Sequence, residues 1–177
     1  MTGRGVLVLA LLAMPALPAR AVEAYALEGL LLLQPEQVLR ERVIDGAAAM
    51  TDYVRAIGTA ADQVISAAPQ PQRATSGYIV LAVRPGGRSK VWLDLWPRLP
   101  ARTEQELTAA LGKVPPFAVA RGSVVFALSI STWGAAPTTQ SQPRPDEWTR
   151  ALRELGGPAH SEAVVDAVWP APESTAH

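Results

Sequence analysis

The chain has 177 residues, 49% of them apolar, which is enough for one domain with a core of its own. Sixteen basic residues balance sixteen acidic ones, so no global field is available to hold nucleic acid or an anionic membrane. Cysteine is absent, which excludes disulfides, thiol catalysis and a lipidated N-terminal cysteine.

The first residues read as a targeting segment rather than as fold. Arg4 is followed by an apolar run, Val6 to Leu17, of secretory-signal length and too short to span a bilayer. Ala19-Arg20-Ala21 places small residues at the two positions a signal peptidase reads, and cleavage is expected after Ala21. Residues 1–21 are then a signal peptide, and the mature protein is exported to the periplasm. The competing reading is a retained anchor in the inner membrane, against which Pro15 and Pro18 interrupt a continuous helix.

Leu30 to Leu33 is a run of four leucines that either continues the signal or forms the first buried turn of a helix. A helix is expected from Pro35 to Asp45, because proline lacks the N–H that a first turn leaves unused and Glu36 suits the helix dipole. A second helix follows from Ala47 to Ala67. Met50, Tyr53, Val54, Ile57, Ala61, Val64 and Ile65 recur at spacings of three and four and make one apolar stripe, best read as a packing face. Pro69 and Pro71 end it.

Gly77 to Trp96 has the pattern of a β-hairpin: two alternating runs joined by Pro85-Gly86-Gly87. Ile79, Leu81 and Val83 share one face with Val91, Leu93 and Leu95, the better candidates for the core. Tyr78, Val80, Ala82 and Arg84 share the other with Lys90, Trp92, Asp94 and Trp96. Thr103 to Glu106 reads as a capping box opening a short helix with Leu107, Ala110, Leu111 and Val114 on its buried side. Pro115-Pro116 forbids its continuation. Ser123 to Trp133 is the third strand, with Val124, Phe126, Leu128 and Ile130 inward and Val125, Ala127, Ser129, Ser131 and Trp133 outward. The expected fold is α+β: a three-stranded antiparallel sheet with helices packed on one side, in the order helix–strand–strand–helix–strand. Residues 22–133 form the domain. Residues 134–177 add a Pro/Thr/Gln/Ser linker, expected to be mobile, and two short helices near Asp146 to Leu155 and Glu162 to Val168.

Gly77-Tyr-Ile-Val-Leu-Ala-Val, then Pro85-Gly86-Gly87, then Leu107 to Phe117 with Pro115-Pro116-Phe117, then Gly122 to Ile130, resembles the C-terminal domain of the TonB/TolA families. The resemblance spans roughly residues 50 to 133. It implies a periplasmic, non-catalytic module that receives a partner's segment as an added strand at a sheet edge. The chain lacks the long proline-rich spacer of a full energy transducer, which favours a free-standing relative.

The residues expected to meet a partner are Arg84, Arg88 and Lys90 at the hairpin tip, Trp92, Trp96 and Trp133 on the outer face, and Val125 on the last strand. The strand Val124 to Ile130 is the expected edge, and a cell-envelope protein the expected partner. Two other readings stand beside this one. The outer aromatics, Tyr78 among them, could serve a small envelope ligand or lipid, or the C-terminal segment with Trp148 and Trp169 could fold back and cover them. His160, Ser161 and Asp166 lie close in sequence, but no G-x-S-x-G elbow accompanies them, and two histidines without cysteine make no metal motif. No catalytic residue, cofactor or metal is assigned.

Overall fold

The computed structural model describes residues 23–70 and 72–170; the proposed signal peptide lies outside the described residues. Among the described residues, four strands and five helices follow one another as β1 (Tyr25–Leu32), α1 (Glu36–Arg42), α2 (Gly46–Ala67), β2 (Thr75–Arg84), β3 (Arg88–Trp96), α3 (Ala101–Leu111), β4 (Val124–Thr132), α4 (Asp146–Glu154) and α5 (Ser161–Val168). The class is α+β. The sheet has four strands rather than the expected three, all antiparallel, in the order β1-β4-β2-β3.

The additional strand is the leucine-rich one. Leucine favours a helix, but β4 offers an unpaired row of N–H and C=O groups, and tertiary pairing overrides a weak local preference. Tyr25 to Leu32 pairs with Thr132 to Phe126, with a register shift between Leu27 and Gly29 that leaves Glu28 at a bulge. Leu31 and Leu33 pack on one side of the sheet. Leu27, Leu30 and Leu32 face the other and stay exposed at the margin of the helix layer.

α1 is shorter than expected. It starts after Pro35 and stops at Arg42, because Val43 turns extended and bridges Val119. α2 carries the expected stripe: Met50, Tyr53, Ile57, Ala61 and Ile65 are buried, with Val54 and Val64 at its margins. They meet Ile79, Leu81, Phe126, Leu128, Leu107 and Leu111 in the larger core, where the Tyr53 ring stands edge-on to Phe117 at 5.6 Å. In the hairpin, Gly86 (φ 79°) and Gly87 (φ 67°) take the left-handed conformations that the reversal needs.

The capping box does not form. α3 begins after Pro100, with its N-cap three residues before the expected Thr103, which places Thr103 inside the first turn and buries it. Glu106 pairs with Arg102 at 2.8 Å instead.

The helices do not pack on one side of the sheet alone: as the fold-back reading has it, the C-terminal segment covers the outer face. Helices cover both faces of the sheet, with α1, α2 and α3 on one and α4 and α5 on the other. Trp148, Ala151, Val164 and Val165 from the C-terminal helices close over Tyr78, Val80, Ala82, Trp92, Val125 and Ala127. Two contacts tie the 134–145 segment to the hairpin: the Gln140 carbonyl accepts from the Tyr78 hydroxyl and the Arg144 N–H donates to Asp94. No helix among the described residues is long and apolar enough to cross a membrane.

Candidate partner-binding edge

Burial removes three of the expected interface residues from the surface. Val125 is fully buried and Trp92 nearly so beneath α4, with the Trp92 and Trp148 rings edge-to-face at 5.6 Å. Arg84 is only 3% exposed. Its guanidinium donates to the Asp166 carboxylate and to the Trp169 carbonyl, and it lies 4.6 Å from the centre of the Trp169 ring. Arg88 approaches the same ring from 5.6 Å. The basic hairpin tip is therefore a clasp for the C-terminal helix rather than a free patch.

Trp133 also departs from its expected face. The strand ends at Thr132 and Trp133 adopts φ 47°, so the alternation stops and the ring packs against the larger core on the opposite side. Lys90 is half-buried, binding Glu147 at 3.0 Å and the Val168 carbonyl at 3.2 Å. Of the seven residues, only Trp96 is fully open, at 75% exposure.

The expected edge is not an edge. β4 is paired on both sides, with β1 along one and β2 along the other. The open margins of the sheet are β1 and β3. On β3 no backbone hydrogen bond outside the β2 ladder reaches Arg88 to Trp96 among the described residues. In an antiparallel ladder every second residue of an edge strand turns its N–H and C=O outward, so β3 presents such a row.

That margin is framed. A groove of about 460 Å³ runs along Val91 to Trp96, between Glu104 and Thr108 of α3 on one wall and Pro145, Asp146 and Glu147 on the other. Four carboxylates line it, Asp94, Glu104, Asp146 and Glu147, against the single cation Arg98. Arg98 is bound to Asp146. Glu147 accepts from the Trp92 indole N–H at 2.9 Å. Partial burial raises the Glu147 pKa, but the Trp92 and Lys90 hydrogen bonds outweigh it and hold the carboxyl below its ordinary range. Glu104 makes no ion pair among the described residues.

The histidine neighbourhood is put to structural use. The Ser161 hydroxyl donates to the Leu33 carbonyl at 2.7 Å, His160 precedes the first turn of α5, and Asp166 faces Arg84. The groove's walls leave no signal in the sequence, because Glu104 and Asp146 are brought to β3 only by tertiary packing and periodicity does not report it. No family model matches the chain, and neither the curated proteins nor the solved structures include a match to it.

Proposed function

We propose that this is an exported, periplasmic, non-catalytic interaction module that receives an extended segment of a cell-envelope protein along β3. The carrying observation is the open β3 margin set in a walled groove with Trp96 exposed at its end. Backbone groups along such an edge supply affinity, and the walls supply specificity. The excess of carboxylates favours a partner segment bearing lysine or arginine, for which Trp96 is a cation–π platform.

The β2–β3–α3–β4 portion carries the resemblance to the TonB/TolA C-terminal domain, and the strand order β4-β2-β3 within it is compatible with that reading. In this chain the far side of β4 is occupied by its own β1, so strand addition is assigned to the opposite margin. The small-ligand reading of the aromatic sheet face is set aside, because α4 and α5 fill that face.

The test is a photo-crosslinking amino acid at position 96 in the native envelope, with the crosslinked peptide identified by mass spectrometry. A synthetic copy of that peptide is expected to protect alternate amides of Arg88 to Trp96 from hydrogen exchange. Protection of β1 instead, or no single peptide crosslinked, defeats the proposal. Intact mass of the envelope-purified protein tests the location: a start at Val22 is expected, and a retained Met1 in the inner membrane returns an anchored transducer.

A further inference from the structure

A second concavity lies on the far side of α4 from the β3 groove. It is an open groove of about 1110 Å³ between the end of β1, the strap before α4 and the α4–α5 loop. That volume is at or above the range of about 300–1,000 Å³ typical of small-molecule sites. Its apolar lining includes Leu31, Leu33, Trp148, Leu152 and Val164. The Trp148 indole N–H is buried and has no acceptor among the described residues.

The charge of the lining is one-sided. No aspartate or glutamate contributes to it, whereas Arg144, Arg153 and His160 do. Neither arginine has an acidic partner among the described residues. In a chain with equal numbers of acids and bases, an apolar trough rimmed by two unpaired guanidiniums fits one chemistry, an apolar chain ending in an anion. The chain's own apolar N-terminal run fits it poorly, since Arg4 and Arg20 flank that run and would meet like charge.

We infer that the groove between β1, α4 and the α4–α5 loop binds a single-chain anionic amphiphile, its tail along Leu31, Leu33 and Leu152 and its headgroup at one of the two arginines on the rim, Arg144 or Arg153. The site is separate from the β3 margin, and its failure leaves the strand-addition reading untouched.

The experiment is a titration of the purified full-length mature protein, followed by tryptophan fluorescence and calorimetry. Palmitate, lysophosphatidic acid and neutral monopalmitoylglycerol are compared below their critical micelle concentrations. Saturable 1:1 binding of at least one anion is expected, with the neutral lipid at least about tenfold weaker. Preference between palmitate and lysophosphatidic acid distinguishes a carboxylate from a phosphate headgroup. Arg144→Glu with Arg153→Glu, both exposed positions, is expected to weaken the anion at least about tenfold while leaving the melting temperature unchanged. Ala159→Trp, on the exposed loop wall, is expected to weaken all three lipids by obstruction. Absence of saturable anion binding, equal affinity for the neutral lipid, or indifference to either variant overturns the inference. So does a synthetic peptide of residues 1–21 that fills the groove in place of both anions.

Discussion

The Arg42 guanidinium grips the Glu162 carboxylate through two hydrogen bonds of 2.7 and 3.1 Å, across 120 residues of sequence. Arg42 ends α1, in one helix layer; Glu162 lies in the first turn of α5, in the other. The same guanidinium also donates to the Ser123 carbonyl at 2.8 Å. One side chain thus ties both helix layers to the start of β4, in the paired, forked geometry that makes arginine–carboxylate contacts strong.

Gly122 is the residue that makes room for this contact. It sits at φ 62°, and a Cβ there would lie 2.7 Å from Arg42 Nη1 and 2.8 Å from Glu162 Oε1. Gly122→Ala is expected to cost about 1–3 kcal/mol, from backbone strain and an opened ion pair together. Urea unfolding of the variant measures it, and an unchanged midpoint would show that the pair can shift at no cost.

The Arg42 hydrogen bonds hold the Glu162 carboxyl below its ordinary pKa, against a smaller opposing effect of burial. A depressed folded pKa means that stabilisation is complete above the ordinary carboxylate range and is lost as the pH falls through the folded value. Glu162→Gln is therefore expected to be destabilising at neutral pH and nearly neutral in acid. Melting temperatures across the acid limb decide this, and a difference independent of pH argues against the linkage.

The Arg84–Asp166 pair is asymmetric: the Arg84 side chain is 4% exposed and that of Asp166 63%. Removing the arginine leaves a carboxylate that water can solvate, whereas removing the carboxylate strands a buried guanidinium. Asp166→Ala is thus expected to cost more than Arg84→Met, with the methionine variant losing about 1–3 kcal/mol in hydrogen bonds. Paired denaturation curves test the order, and the reverse order would mean that the guanidinium escapes to solvent when α5 loosens.

The hydroxyl of Tyr25 is buried without a partner among the described residues. Burial, aided by nearby Asp62, pushes Tyr25 from the ordinary 10.0 up to about 12. The unfolded chain ionises first, so the raised folded value makes stability decline as pH rises from the unfolded pKa through the folded one. Tyr25→Phe is expected to be neutral to stabilising at pH 7, since it removes an unsatisfied polar atom, and to flatten the alkaline decline. Burial raises the Tyr53 pKa as well, so part of the decline persists. A loss above about 1 kcal/mol on urea unfolding would point to a hydrogen bond made by the hydroxyl.

Elements with strong local patterns were legible in the sequence: α2 from its stripe, the β2–β3 hairpin from alternation and Pro85-Gly86-Gly87, and β4 from its inward Val124, Phe126, Leu128 and Ile130. β1 was not, because leucine prefers a helix and only the far-off β4 makes Tyr25 to Leu32 extended. That omission displaced the edge as well: an unseen neighbour for β4 left Val124 to Ile130 looking open. Of the expected site, Trp96 kept its exposure and Arg84, Trp92 and Val125 did not, since their alternation fits solvent and a second layer equally well. The groove walls depend on where α3 and α4 dock, which only the packed structure fixes.

The strand order also sets a timetable. β2 and β3 meet across three turn residues, but Tyr25 pairs with Thr132, so β1 has no partner until β4 has emerged. Closing that loop costs chain entropy that the local hairpin never pays, and such distant pairings slow folding. β4 is accordingly the last piece of the sheet and the one that joins it, with β1 on one side and the hairpin on the other. A nascent chain that ends before β4 holds the β2–β3 hairpin and α1, α2 and α3, but not the strand that joins β1 to them. Completion waits for the C-terminal third, when the sheet and the outer helix layer can assemble together.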